Sequence, residues 1–450
     1  MQITLAALAH HQGQQDVSAA FQQAFDQIAQ AGGGTLIVPT GRYRIGALQL
    51  PSNLYLWLEA GAELIASPDY QDFQGAITLS VAENSDRAML YARHQHNITI
   101  AGPGLINGNA SAYFASEPDE QGYRLPAPHR PRLIVFEDCQ QIRLTHFTII
   151  DAPMWTVHLV SSAHIFIDQL TISNDLTMAN TDALDIDGCQ YVQISNSHFS
   201  SADDGICLKT TCKPSELRRP TQHVLVQNCL LRSYSCAFKI GTETFDAIED
   251  ISVNNCSIYD SNRAIGIVSR DGGVIQRLQF SHINFACHHV HPCHWGKADP
   301  IFISCRHRDP AIAPGAVRWV SFSHLSGTTE GAINMHTDTP GSLLHISLSH
   351  LHMQQCVNDQ SEQGLYDVRP PCNPDQPTGM GLDNAYRLNP NTGQAFGVEH
   401  YPNGLPAIYA QGVEQLHLEH LFIERPPILP QSWDVNPIVQ TALSDAGPRR

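Results

Sequence analysis

The chain has 450 residues, 42% of them hydrophobic and 15% charged, a composition that excludes extended disorder and supports a large packed core. Its formal net charge of −17 offers no phosphate-tracking surface and excludes nucleic acid as an expected partner. No run of about 18 apolar residues occurs, so no membrane-spanning helix is predicted, and 28 prolines with 31 glycines point to short elements joined by turns, an all-β chain rather than a helical bundle.

The first residues, MQITLAALAHHQGQQD, hold only a brief apolar run without a basic region before it or a small-residue cleavage site. That is a poor secretory signal and sets the expectation of a cytoplasmic protein, although a processed secreted or periplasmic form would leave the same sequence. The 12 cysteines show no compact framework spacing, and several sit at like positions beside predicted strands, as reduced, buried thiols do. Asp16 is the predicted cap of a short helix in which Val17, Ala20, Phe21, Ala24, Phe25 and Ile28 share one face and Gly32 to Gly34 stop it. Strands are predicted at 35–38, 43–48 and 54–58, so that residues 1–60 form a cap and first coils, the helix covering an open strand edge.

From residue 97 a repeat emerges: apolar, any, apolar, then a polar residue four places after the first anchor. Anchors at Ile98, Ile142, Ile165, Val192, Val224, Ile251, Leu278, Val320, Ile346 and Leu416 recur, several at roughly 23 to 32 residues, a solenoid period. The fourth position beyond the anchor carries His146, Gln169, Asn196, Asn228, Asn255, His282, His324, His350 and His420. Asn and His tolerate left-handed backbone, so these residues are read as a buried turn ladder linked by hydrogen bonds, which accounts for many of the 24 histidines without metal or catalysis. Period-2 strands between such turns predict a single right-handed parallel β-helix domain over residues 1–450. A Pro- and Gly-rich stretch at 370–406 is predicted as a loop excursion, because repeat-like sequence resumes at 413–423.

The stretch 180–209, NTDALDIDGCQYVQISNSHFSSADDGICLK, sets Asp182, Asp203 and Asp204 about one repeat apart, each beside a strand-like run. Stacked coils would make the three carboxylates converge, as glycosidic hydrolysis requires of its acid and base. Aligning the following strands puts Asp182, Asp204, Cys236 and Arg263 in one column and Asp185, Cys207, Lys239 and Gly266 in another, with stacked neighbours about 4.8 Å apart.

The NTD at 180–182 followed by DD at 203–204 resembles the family 28 glycoside hydrolases, the polygalacturonase and rhamnogalacturonan hydrolase group. The likeness extends to GGGTLIVPTGRYRIGALQL near the N-terminus, APMWTVHLV at 152–160 and PAIYAQGVEQL at 406–416. The resemblance implies a parallel β-helix, no metal or other cofactor, and inverting hydrolysis of pectic α-linkages. It assigns Asp203 as general acid and Asp182 and Asp204 as the carboxylates that position and deprotonate water. An inverting pair is expected about 6.5–9.5 Å apart. Two family motifs are absent: Ser235, Cys236 and Ala237 stand where G-H-G is found, and Gly266, Ile267 and Val268 where R-I-K is found. Lys239 and Arg263 lie beside the vacated positions and are expected to meet a galacturonate carboxylate.

Further substrate contacts are expected from Asn180, Asp185, Glu243, Arg270, Trp295 and Lys297, with an Arg270–Asp271 ion pair as the competing reading for that turn and plain packing for Trp295. The run CHHVHPCHW at 287–295 matches no zinc spacing and is read as a loop at the rim of the cleft. The expected activity is hydrolysis of α-linked galacturonate in pectic oligo- or polysaccharide, exo-acting because a chain without a signal would meet small imported oligomers. A β-helix polysaccharide lyase and a non-catalytic carbohydrate-binding solenoid are the competing readings.

Overall fold

Alternation of apolar and polar residues over four to six positions makes strands with one face to bury, and left-handed corners between them bend each coil back over its predecessor. The structure, a computed structural model, describes residues 1–5, 15–119, 122–290, 294–369, 389–391 and 395–443. The chain divides into two compact units, Met1–Ile206 with Cys212–Cys229, and Cys207–Thr211 with Leu230–Arg450. The strands of each wall are parallel within both units, the arrangement of a right-handed parallel β-helix. Much of the loop expected at 370–406 lies outside the described residues.

In the first unit, the strand Gly34–Val38 is flanked by Gln2–Thr4 and Leu54–Leu58, so the first rung lies before the helix. The helix runs Ser18–Gln30 and buries Phe21, Ala24, Phe25 and Ile28, with Phe21 edge-on to Tyr43 at 5.8 Å. It begins two residues after Asp16, whose Oδ1 still accepts the Ser18 N–H at 2.7 Å. The strand expected at 43–48 is two, Gly41–Ile45 and Leu48–Gln49, belonging to different walls. The anchors stack as expected: Ile142 faces Ile98 on one side and Ile165 on the other, and Ile165 faces Val192. These four are buried. On the other wall Val157 pairs with Leu184 and His158 with Asp185.

In the second unit the coils are longer strands, Ile248–Ser261, Ile275–Cys287, Val317–Thr329, Leu343–Gln355 and Glu414–Glu424. Phe280 and Phe322 stack inside it at 5.0 Å. Its second wall holds Cys236–Thr244, Arg263–Ser269, Ile301–Cys305 and Ile333–Thr337 in parallel register.

All nine residues of the expected ladder have φ between 51° and 66°. The ladder is exposed, not buried. Left-handed corners point these side chains outward, and the rungs join by hydrogen bonds such as Asn228 to Asn196 (3.1 Å) or by ring stacking. A second left-handed column lies one place before each anchor, from Asn97 through Gln141, His164, Tyr191 and His223, and again from Asp250 through Arg277, Trp319, His345 and Gln415. Apart from the exposed Cys212 and the partly buried Cys356, the free cysteines among the described residues are buried, and none forms a disulfide.

Candidate active site

The acidic cluster belongs to the first unit and is built by coil geometry. Asp182 precedes the strand Leu184–Asp187, and Asp203 and Asp204 precede the next coil's strand at Ile206. The backbone ties the two: Ala183 N–H donates to Asp204 O at 2.9 Å and Thr156 N–H to Asp182 O at 2.8 Å. Ser201 Oγ donates to the carbonyls of both Asp203 (2.8 Å) and Asp204 (2.9 Å), fixing the turn that aims their side chains. One carboxylate oxygen from each of the three lies within 4.8 Å of the other two. Asp182 and Asp204 are buried, and Asp203 is the member open to solvent. These are distances between the nearest oxygens, shorter than the 6.5–9.5 Å expected between the carboxyl groups of an inverting pair, as suits residues that enter strands on adjacent coils about 4.8 Å apart. Three carboxylate oxygens of this kind would also suit a hard divalent cation.

Asn180 has φ of 58° and is 5% exposed. Its Oδ1 accepts from Arg130 Nη2 at 2.9 Å, while Arg130 Nη1 donates to Pro153 O (3.0 Å) and Ala179 O (2.8 Å). Asn180 therefore serves the wall of the site, and Arg130, which the sequence gave no reason to single out, holds the segment before Asp182. Burial lowers the Arg130 guanidinium to about 10, opposed by Glu83, Asp203 and Asp182. Asn174 performs a similar task, donating to Thr156 Oγ1 and Thr181 O at 2.8 Å each.

Asp185 was expected to face a sugar, but it is fully buried in register with His158. His158 lies between two charged groups: Arg132 Nη1 is 2.7 Å from its Nδ1 and Asp187 Oδ2 is 3.2 Å from its Nε2. Lys213 pairs with the other Asp187 oxygen. Burial alone would raise the Asp187 pKa, yet Lys213 and His158 hold it far below the usual carboxylate range. The outward face of this strand is thus a closed ionic network beside the acidic cluster.

In the second unit the expected register holds: Cys236 pairs with Arg263, Phe238 with Ile265 and Lys239 with Gly266. A Cβ on Gly266 would lie 2.8 Å from Cys236 Sγ, so any side chain there requires the Cys236 thiol to move aside. A small cavity, of about 10 Å³, is lined by Lys239, Arg263, Trp295, Ser235, Cys236 and Gly266 among others, with no acidic residue. The Trp295 Nε1–H is buried and has no hydrogen-bond partner among the described residues, and Lys239 Nζ is 5.8 Å from the Trp295 ring centre. Arg263 is largely committed, pairing with Asp299 (3.0 Å), donating to Asp367 O (2.6 Å) and lying over Phe302 at 3.6 Å.

Glu243 is 8% exposed; burial would raise its pKa, but Lys209, Arg308 and Lys239 hold it below the ordinary value. Arg270 is fully buried and donates to Ser304 O and Val368 O, and Asp271 is held by Arg308 at 2.7 Å, the ion pair found for it where Arg270 was the expected partner. Lys297, 7% exposed, has its pKa lowered by burial beside Asp367, Arg369, Asp299 and Arg263, which places it in an ion cluster instead of on an open face. In the CHHVHPCHW run, residues 291–293 lie outside the described residues; His288 pairs with Asp260 and His289 with Glu330.

A parallel β-helix with three carboxylates on adjacent coils has the frame and the functional groups of a polysaccharide-acting glycoside hydrolase. The family model for glycosyl hydrolases family 28 matches residues 35–309, and the chain belongs to that family. A "Probable polygalacturonase" of Vitis vinifera is 26% identical over 262 residues, 55% of this chain and 52% of that one. The chain spans about half the length of the curated relatives it matches first. Among solved structures, the family 28 exopolygalacturonase of Yersinia enterocolitica aligns with a TM-score of 0.71 at 16% identity, covering 100% of this chain and 79% of that one. The exopolygalacturonase of Thermotoga maritima aligns at 0.64 and 20% identity, covering 79% and 87%.

Proposed function

We propose that the protein hydrolyses α-linked galacturonic acid in pectic oligo- or polysaccharide, by direct attack of water with inversion and from a chain end. The observation that carries the hydrolytic reading is the Asp182, Asp203 and Asp204 cluster within 4.8 Å, while inversion is taken from the family 28 resemblance and not from the spacing. Two hydrogen bonds of about 2.8 Å meeting at a tetrahedral water span about 4.5 Å, so carboxylates so spaced suit a shared water. Asp182 and Asp204, buried, hold and deprotonate that water; Asp203, open to solvent, protonates the leaving oxygen. The proximity of ionised Asp182 and Asp204 favours the protonated form of Asp203. No metal or other cofactor enters this sequence of steps.

A uronate substrate is inferred in line with the polygalacturonase relatives. Exo action is inferred in line with the exopolygalacturonases of Thermotoga maritima and Yersinia enterocolitica. The test is incubation with defined oligogalacturonates and rhamnogalacturonan oligomers, read by mass. Release of single galacturonate residues is expected. Mid-chain products would overturn the exo assignment, an unsaturated, ultraviolet-absorbing product would indicate a lyase, and binding without turnover would reduce the protein to a carbohydrate-binding solenoid.

A further inference from the structure

The exposed turn column of the second unit ends in four consecutive histidines. The parallel register of Ile275–Cys287, Val317–Thr329, Leu343–Gln355 and Glu414–Glu424 sets His282 opposite His324, His324 opposite His350, and His350 opposite His420. Their φ angles, 52° to 56°, turn all four rings outward, and all four residues are exposed. Neighbouring ring centres are 4.8, 4.6 and 4.7 Å apart with interplanar angles of 6°, 5° and 18°. Among the described residues no hydrogen bond or ion pair engages any of the four rings, whereas in the corresponding column of the first unit His146 Nδ1 lies 3.0 Å from Gln169 Oε1 and Asn228 bonds to Asn196.

Aligned, unengaged imidazoles are ligands for borderline transition ions. With metal–nitrogen distances of about 2.0–2.1 Å, two nitrogens on one ion lie at most about 4.2 Å apart. The observed spacings are between ring centres in near-parallel stacks, where the in-plane nitrogen lone pairs run side by side, so an ion between two rings requires the exposed side chains to turn out of the stack until the lone pairs converge. We propose that this column is a surface binding site for divalent copper, nickel or zinc, each ion held between two adjacent imidazoles and at most two ions held at once. The proposal is independent of the glycosidase reading, since it uses no residue of the acidic cluster.

The test is titration of the untagged full chain with Cu²⁺ at neutral pH, read by calorimetry and by nitrogen hyperfine structure in electron paramagnetic resonance. The double variant His324→Asn with His350→Asn breaks all three adjacent pairs. Asn occupies the equivalent turn at 196, 228 and 255 with φ of 51° to 56°, so the fold accepts the change. The wild type is expected to bind with a two-nitrogen signal, and the double variant at least about tenfold more weakly, the order expected for loss of one of two ligands. Failure of the wild type to bind, a signal from one nitrogen or none, or undiminished binding by the double variant would overturn the proposal; an ion on the carboxylate cluster would give that last result.

Discussion

At the scale of single residues, the site depends on side chains whose work is to aim others. Arg130 reaches across 50 positions of sequence to Asn180 and anchors the segment before Asp182. Replacing it with methionine removes a cation near Asp182 and Asp203, so their proton affinities rise. The expected result is a kcat about tenfold to a hundredfold lower, with KM little changed and the acid limb of the pH–rate profile moved to higher pH; an unmoved acid limb would reduce Arg130 to a purely structural role. Asp187 makes a stability prediction. Its folded pKa lies below its unfolded value, so its contribution is fully present above about pH 4 and is lost as pH falls through and below that value. Asp187→Asn strands Lys213 and should cost about 3–5 kcal/mol at pH 7, with a flatter loss of stability on acidification, both measurable by denaturant titration at several pH values.

The same residues show what the sequence could express. Asp182, Asp203 and Asp204 were legible because their spacing follows the coil period and a recurring short motif. Arg130, His158 and Lys213 were not, because each finds its partners on other coils through loops that carry no period. Asp185 misled for a related reason: strand alternation places its side chain on the outward face but says nothing about what covers that face.

At the scale of elements, two left-handed columns run through the long strands of the second unit, five residues apart in each. One was readable because Asn, Gln and His recur there. The other holds Tyr191, Arg277 and Trp319 as well as Asn97 and His164, so its residue types give no common signature although its backbone is equally uniform. Interior stacking is the counterpart of these corners. Phe280 lies between Phe238 at 5.7 Å and Phe322 at 5.0 Å, so Phe280→Ala opens a cavity and should cost about 3–5 kcal/mol, checked by urea unfolding. Gly266 and Cys236, which stand in the two missing family motifs, are neighbours across the wall. Gly266→Arg alone would drive its Cβ into Cys236 Sγ, and is expected to lower the thermal midpoint without restoring the family pattern.

At the scale of the whole molecule, the composition, the coil period and the alternation foretold the fold, and the acidic motif foretold the family. The positive side chains were harder to read. Arg263 and Arg270 sit in ion pairs or hydrogen bonds that fasten segments over the second unit's wall, and Lys297 is buried near Asp367 and Asp299, while Lys239 and Trp295 line a small cavity. Charge in the right column was visible in the sequence; the contacts that engage it depend on long loops after Cys287 and Gln355, where the period lapses.

The central claim is that Asp203 donates a proton while Asp182 and Asp204 direct water at the sugar. Proton nuclear magnetic resonance of the first product released from an α-linked oligogalacturonate, with wild type and Asp203→Asn side by side, tests it most directly. The account predicts β-galacturonate as the initial product of the wild type, and a rate about 10²- to 10⁴-fold lower in the variant at unchanged stability. An α-configured initial product, or wild-type turnover by Asp203→Asn, would contradict it.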